Sequence, residues 1–203
     1  MAFLKSHFSE TILAEAGCDE AGRGCLSGPL FAAAVVFPFN YENEQLNDSK
    51  QLNKTQREML REIIIKDAIA WSVVAVSETV IDEINILNAS FRGMNLAVKQ
   101  LKVQPELLLI DGNRFKNETE IPYHCIVKGD AKYLSIAAAS ILAKTFRDDF
   151  MEKLDAEFPQ YGWKQNKGYP TQAHQEALLK FGRSPYHRKT FQVKGQLKLD
   201  FNH

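Results

Sequence analysis

Apolar positions in this chain fall into two kinds of run. Five are short and continuous or β-branched, and the pattern predicts strands at residues 12–18, 30–37, 71–76, 106–110 and 124–127. Longer runs have helical spacing. Residues 54–68 place Met59, Leu60, Ile63 and Ile64 on one side. Residues 80–101 read as a long helix with Gly93 inside. Residues 134–158 read as another, with an Ala137-Ala138-Ala139 face for close packing and Pro159 closing it. Thr171 caps a last helix through Phe181, which Gly182 ends. Together these elements predict an α/β fold, a mixed five-stranded sheet flanked by helices, with a helical C-terminal segment. A boundary falls near Pro159. Residues 1–158 form the sheet domain and residues 159–203 a basic, helical segment and tail, together one compact unit.

Three of the strand-like runs stop at carboxylates: Asp19-Glu20, Asp111 and Asp130. Strands side by side in one sheet could bring those ends together. Four carboxylates in one cleft repel, and each raises the others' pKa. Divalent cations remove that penalty, and magnesium or manganese suits all-oxygen donors. Two ions about 4 Å apart would activate a water and stabilise the leaving oxygen of an in-line displacement. Taken singly, Asp111-Gly112-Asn113 also suits an ordinary turn, and Gly129-Asp130 an ordinary cap. Asp19-Glu20 differs because Gly22-Arg23-Gly24 follows at once. That arginine and the bare glycine backbones could meet a phosphodiester. Neighbouring residues of a regular strand face opposite sides, so joint use of Asp19 and Glu20 requires a bulge or turn there.

Composition narrows the class. The 203 residues carry 25 basic and 25 acidic side chains. The balance is uneven along the chain. Between Tyr161 and Lys198, Lys164, Lys167, Lys180, Arg183, Arg188, Lys189, Lys194 and Lys198 are opposed only by Glu176. Aromatic residues are interleaved with them. That pattern suits a nucleic-acid surface, or a solvated basic face over a small aromatic cluster. The cysteines Cys18, Cys25 and Cys125 form no CxxC pair and read as reduced core residues of a cytoplasmic protein. No apolar run approaches the ~20 residues of a membrane span, and no signal peptide is evident.

Several motifs recur in order: Cys18-Asp19-Glu20-Ala21-Gly22-Arg23-Gly24, Asn47-Asp48-Ser49-Lys50, Ile81-Asp82-Glu83-Ile84-Asn85, Ile110-Asp111-Gly112-Asn113, Lys128-Gly129-Asp130-Ala131, Ala137-Ala138-Ala139-Ser140, Lys167-Gly168-Tyr169-Pro170 and His187-Arg188-Lys189. With them the chain resembles ribonuclease HII, the bacterial type 2 ribonuclease H. The resemblance spans residues 18–191. It implies a ribonuclease H-like fold and an endoribonuclease that cuts RNA in RNA–DNA hybrids and 5′ of ribonucleotides embedded in DNA. Two Mn²⁺ or Mg²⁺ ions and products with 3′-hydroxyl and 5′-phosphate ends go with it. Asp19, Glu20, Asp111 and Asp130 match the metal-binding acidic set. Gly22, Arg23 and Gly24 match the segment that reads the ribose 2′-hydroxyl, the feature separating RNA from DNA. Tyr169 matches a tyrosine that packs on the sugar of the following deoxynucleotide. Lys50, Asn85 and Ser140 are candidate phosphate contacts. Each also has an ordinary reading: exposed lysine, helix-surface asparagine, small residue at a helix contact. His174 and His187 read as phosphate-side or structural. Asn166 departs from the histidine expected there, which bears on a substrate contact and not on the metal chemistry.

Residues 196–201 read Gln-Leu-Lys-Leu-Asp-Phe. This resembles a peptide that docks on the sliding clamp, with Gln196, Leu199 and Phe201 as anchors; a tail packed on its own domain is the alternative. The sister ribonuclease HIII carries an extra N-terminal domain, whereas only 16 residues precede Gly17. A non-catalytic hybrid-binding module would need the acidic set broken. A monomer is expected.

Overall fold

In the computed structural model, which describes residues 4–46 and 52–192, the sheet has five strands. They are β1 (Glu15–Ala21), β2 (Leu30–Val36), β3 (Ala70–Val76), β4 (Leu107–Asp111) and β5 (Tyr123–Ile126). Their order is β3-β2-β1-β4-β5. β1, β2 and β3 pair antiparallel, whereas β4 runs parallel to β1 and β5 parallel to β4. The expected mixed sheet is present.

Alternate side chains of the sheet feed two cores. On one face Ala16, Cys18, Ala32 and Ala34 pack with Ile81, Ala89, Met94 and Ala97 of α2 (Glu78–Lys99). On the other, Phe31, Ala33 and Val35 pack with Leu60 and Ile64 of α1 (Lys54–Asp67) and Ala138, Ile141 and Leu142 of α3 (Leu134–Glu157). The small residues of α3 let it lie close to the sheet. Gly17 on β1 is part of that fit, because a Cβ there would sit 2.2 Å from the Ser135 carbonyl carbon. Asn53 and Gln56 form a capping box at the start of α1.

Beyond α3 the chain forms a 3₁₀ turn (Pro159–Tyr161), α4 (Trp163–Asn166) and α5 (Gln172–Phe181). Tyr161 and Trp163 are buried there with Met151, Leu154 and Ala177. Arg188 is fully buried as well. Part of the interleaved basic and aromatic pattern is therefore interior, and among the described residues its exposed lysines are Lys164, Lys180 and Lys189.

Two expected elements differ. The first strand, expected at 12–18, runs from Glu15 through Ala21. Asp19 and Glu20 do not end it, because they pair with Ala33 and Ala32 of β2. The helix expected at 80–101 is kinked at Asn85, whose backbone lies at φ 65° and ψ 164°. The three cysteines are unpaired. Among the described residues, no helix is long and apolar enough to cross a membrane.

Candidate active site

Asp19, Glu20 and Asp111 meet where β1 and β4 run side by side. Cys18 lies opposite Ile110, so the next residues, Asp19 and Asp111, are neighbours across the parallel pair. Alternation along β1 sends Asp19 and Glu20 to opposite faces. Each finds a hydroxyl on the helix it meets: Ser140 of α3 for Asp19, Ser90 of α2 for Glu20. The pairing of β1 with β2 runs on through both residues without a bulge, and the Glu20 charge still acts on Asp19 while the Asp111 charge acts on both. Asp19 Oδ1 also accepts the Glu20 backbone N–H at 2.7 Å. Glu20 Oε1 lies 3.2 Å from Arg23 Nη1. Asp111 Oδ1 accepts the Gly129 N–H at 2.7 Å, which ties the end of β4 to the 3₁₀ turn Gly129–Ala131. Asp130, in that turn, is buried.

Burial is the largest cause raising the proton affinity of both Asp19 and Glu20. For Asp19 the Glu20 and Asp111 charges add to it, while Ser140 and the Glu20 N–H oppose it. For Glu20 the Asp111 charge adds, while Arg23 and Ser90 oppose. Among the described residues no three His, Cys, Asp or Glu side chains already form a metal cage. The carboxylates are instead held by hydroxyls, backbone N–H groups and Arg23. Buried like charges with only oxygen donors fit a hard divalent cation, which would replace the protons these groups otherwise favour.

The substrate-side residues are placed as follows. Gly22 has φ +96°, and a Cβ there would lie 2.2 Å from Arg147 Nε. Gly24 has open space around it. The Arg23 side chain is about half exposed beside Glu20. Tyr169 is 39% exposed. Its hydroxyl meets the Cys25 thiol, and the Arg147 guanidinium lies 6.0 Å from its ring centre. Ser140 is buried against Asp19. Exposed Asn85 accepts the Leu87 and Asn88 N–H groups at 3.0 and 3.1 Å, capping the second half of α2. Lys50, Gln196, Leu199 and Phe201 lie outside the described residues.

Two buried arginines hold the substrate-side loops, Arg147 outside the motifs and Arg188 within His187-Arg188-Lys189. Arg147 donates to the carbonyls of Pro29, Lys167 and Ser27 at 3.0, 2.8 and 3.1 Å. Arg188 donates to Gly28 and Arg23 carbonyls. They pin the connection between β1 and β2, which carries Gly22–Gly24, and Arg147 ties it to the Tyr169 turn through Lys167. The signal for Arg147 is its helical spacing from Ser140 and Lys144, which puts all three on one side of α3. His174 and His187 are buried rather than phosphate-side.

A family model described as Ribonuclease HII matches residues 16–195. A ribonuclease HII of Bacteroides fragilis is 61% identical over 188 residues, covering 93% of this chain and 94% of its own. The ribonuclease H2 of Pyrococcus horikoshii OT3 has the same fold, with a TM-score of 0.76 at 28% identity, over 93% of this chain and 98% of that one. A chain from the PCNA:RNase HII complex of Archaeoglobus fulgidus matches equally, at TM-score 0.76 and 28% identity, over 93% and 100%.

Proposed function

The chain belongs to the ribonuclease HII family and is a ribonuclease H, and on that premise we propose how it selects and cuts its substrate. It hydrolyses the RNA strand of RNA–DNA hybrids and nicks duplex DNA on the 5′ side of an embedded ribonucleotide, leaving 3′-hydroxyl and 5′-phosphate ends. The observation that carries this reading is the electrostatically linked carboxylate set on adjacent parallel strands, with Asp19 and Glu20 on β1 and Asp111 on β4. These three would hold the metal, with Asp130 completing the site. Two Mg²⁺ or Mn²⁺ ions bound there would supply an activated water and stabilise the departing 3′-oxygen.

The protein's own groups do the rest. Ser140 and Ser90 fix the orientation of Asp19 and Glu20, so Ser140 acts through Asp19 rather than through a phosphate. The Gly22-Arg23-Gly24 backbone, tied down by Arg188, meets the 2′-hydroxyl. The exposed Tyr169 ring packs on the following sugar and leaves no room for a second 2′-hydroxyl, which selects the RNA–DNA junction. Lys50 and the Asn85 side-chain amide contact phosphates. Lys164, Lys180 and Lys189 attract the duplex, so binding weakens as salt rises.

The test is a labelled duplex with one embedded ribonucleotide beside an all-DNA control, with Mg²⁺ or Mn²⁺. A single cut 5′ of the ribonucleotide, abolished by EDTA and by Asp111→Asn, is expected. Cutting of continuous hybrids alone would overturn the roles given to Gly22-Arg23-Gly24 and Tyr169. A wild-type protein that binds hybrids without cutting them would overturn the catalytic reading. The A. fulgidus RNase HII was solved with PCNA, and this supports clamp docking through Gln196, Leu199 and Phe201 here. Deleting residues 196–203 should abolish clamp capture and spare hydrolysis of a short duplex; unchanged capture would refute it.

A further inference from the structure

Behind the Tyr169 turn lie two imidazoles that the reaction does not use. His174, on α5, is 0% exposed and His187 is 2% exposed, with their Nε2 atoms 3.1 Å apart. Three of the polar groups around them have fixed roles, whereas the Ser184 hydroxyl, 2.8 Å from His187 Nδ1, can donate or accept. The Trp163 indole Nε1–H only donates, and it lies 3.1 Å from His174 Nε2. The Ser184 backbone N–H only donates, and it lies 2.9 Å from His187 Nδ1. The Tyr169 carbonyl only accepts, and it lies 2.9 Å from His174 Nδ1.

One proton arrangement satisfies all three. His187 accepts at Nδ1, so its proton is on Nε2 and points at His174 Nε2. His174 accepts there from both Trp163 and His187, so its own proton is on Nδ1 and donates to the Tyr169 carbonyl. A further proton on either ring would set donor against donor. The surroundings agree. Tyr161 from the 3₁₀ turn and Trp163 from α4 pack against both rings. Ser27 Oγ lies 3.5 Å from His174 Nε2. Arg183 is the cation facing His187. Burial lowers the proton affinity of both rings, and of His187 to a pKa of about 3.

We propose that the neutral His174–His187 pair is the positioning element for Tyr169. It holds that residue's carbonyl from behind, while Cys25 and Arg147 hold its ring, and so it sets how sharply the enzyme distinguishes a single embedded ribonucleotide from a continuous hybrid. The inference rests on the reading of Tyr169 as the junction-selecting residue.

Two substitutions separate positioning from packing. His174→Asn keeps an N–H near the place of Nδ1, toward the Tyr169 carbonyl. His174→Gln keeps an acceptor near the place of Nε2 and loses that N–H. The readout is the ratio of kcat/KM on a single-ribonucleotide duplex to that on a continuous hybrid, with Tyr169→Ala alongside. Expected are a ratio within ~3-fold of wild type for Asn and a fall of about 10-fold for Gln, the size of one lost hydrogen bond. Equal losses in both variants, or an unchanged ratio in Gln while Tyr169→Ala collapses it, would overturn this inference and leave the role of Tyr169 standing. An unchanged ratio in Tyr169→Ala would overturn the role of Tyr169 and the inference with it. Imidazole nitrogen NMR of the wild-type protein tests the pair without any variant. His174 protonated on Nδ1 and His187 on Nε2, unchanged between pH 7.5 and pH 5, are expected. Opposite tautomers, or titration near pH 6.5, would overturn the assignment.

Discussion

Replacing Arg147 by Met removes three donors from a site that is 1% exposed. The guanidinium serves the carbonyls of Ser27, Pro29 and Lys167, which belong to two separate segments. Methionine matches the reach and offers no donor. Stranding a buried carbonyl costs about 1–3 kcal/mol, while removing a buried cation returns part of its desolvation cost. Taking the low end for each carbonyl gives about 3 kcal/mol. With an m-value of about 2–3 kcal/mol/M, the urea midpoint should fall by about 1–1.5 M. Arg147→Lys keeps the charge, but one ammonium cannot serve three diverging carbonyls, so about 2 kcal/mol should still be lost. Equilibrium urea unfolding of both variants measures this. A Met variant within about 0.5 kcal/mol of wild type, or full rescue by Lys, would refute the three-carbonyl reasoning.

Three further outcomes are expected. Asp19 and Glu20 have raised proton affinity in the folded state, so without metal they cost stability at neutral and alkaline pH. That cost disappears as pH falls below their ordinary values of 3.8 and 4.5. Metal competes with these protons, so the Tm increase on adding Mn²⁺ should be larger at pH 8 than at pH 5.5; equal increases would count against a carboxylate site. His187 shows the opposite sense in acid: its folded pKa is about 3 against an ordinary 6.5, so its contribution is full above pH 6.5 and is lost as pH falls toward 3. The loss is about 1.4 kcal/mol per pH unit, and His187→Asn should flatten stability measured by urea unfolding between pH 6.5 and pH 5; an unchanged slope would refute it. Gly22→Ala puts a methyl 2.2 Å from Arg147 Nε at φ +96°, and should cut single-ribonucleotide cleavage by more than about 10-fold through a cost of at least about 1–2 kcal/mol; wild-type cleavage would refute it.

Asp19, Glu20, Asp111 and Asp130 stand out in the sequence because each closes or follows an apolar run, and the structure brings the first three together. Their exact setting was hidden. Asp19 and Glu20 looked like the end of a strand because polarity usually marks one. Here their backbones stay paired to β2, and their side chains meet Ser140 and Ser90 from helices far along the chain. The kink at Asn85 was illegible for a related reason. Asparagine in an amphipathic stretch suits a helix surface, and only the backbone reveals that its oxygen caps the turn that follows. The C-terminal basic segment is mixed, with Lys164, Lys180 and Lys189 exposed and Arg188 buried. Charge counts do not say whether an arginine faces water or carbonyl groups, and Arg188 does the latter.

Mn²⁺ binding, followed by electron paramagnetic resonance in wild type, Asp19→Asn and Asp111→Asn, tests the central claim most directly. Loss of affinity beyond the ~10–100-fold typical of outer-shell changes is expected in both variants. Variants that bind Mn²⁺ as tightly as wild type would contradict a metal site built from the carboxylates of β1 and β4.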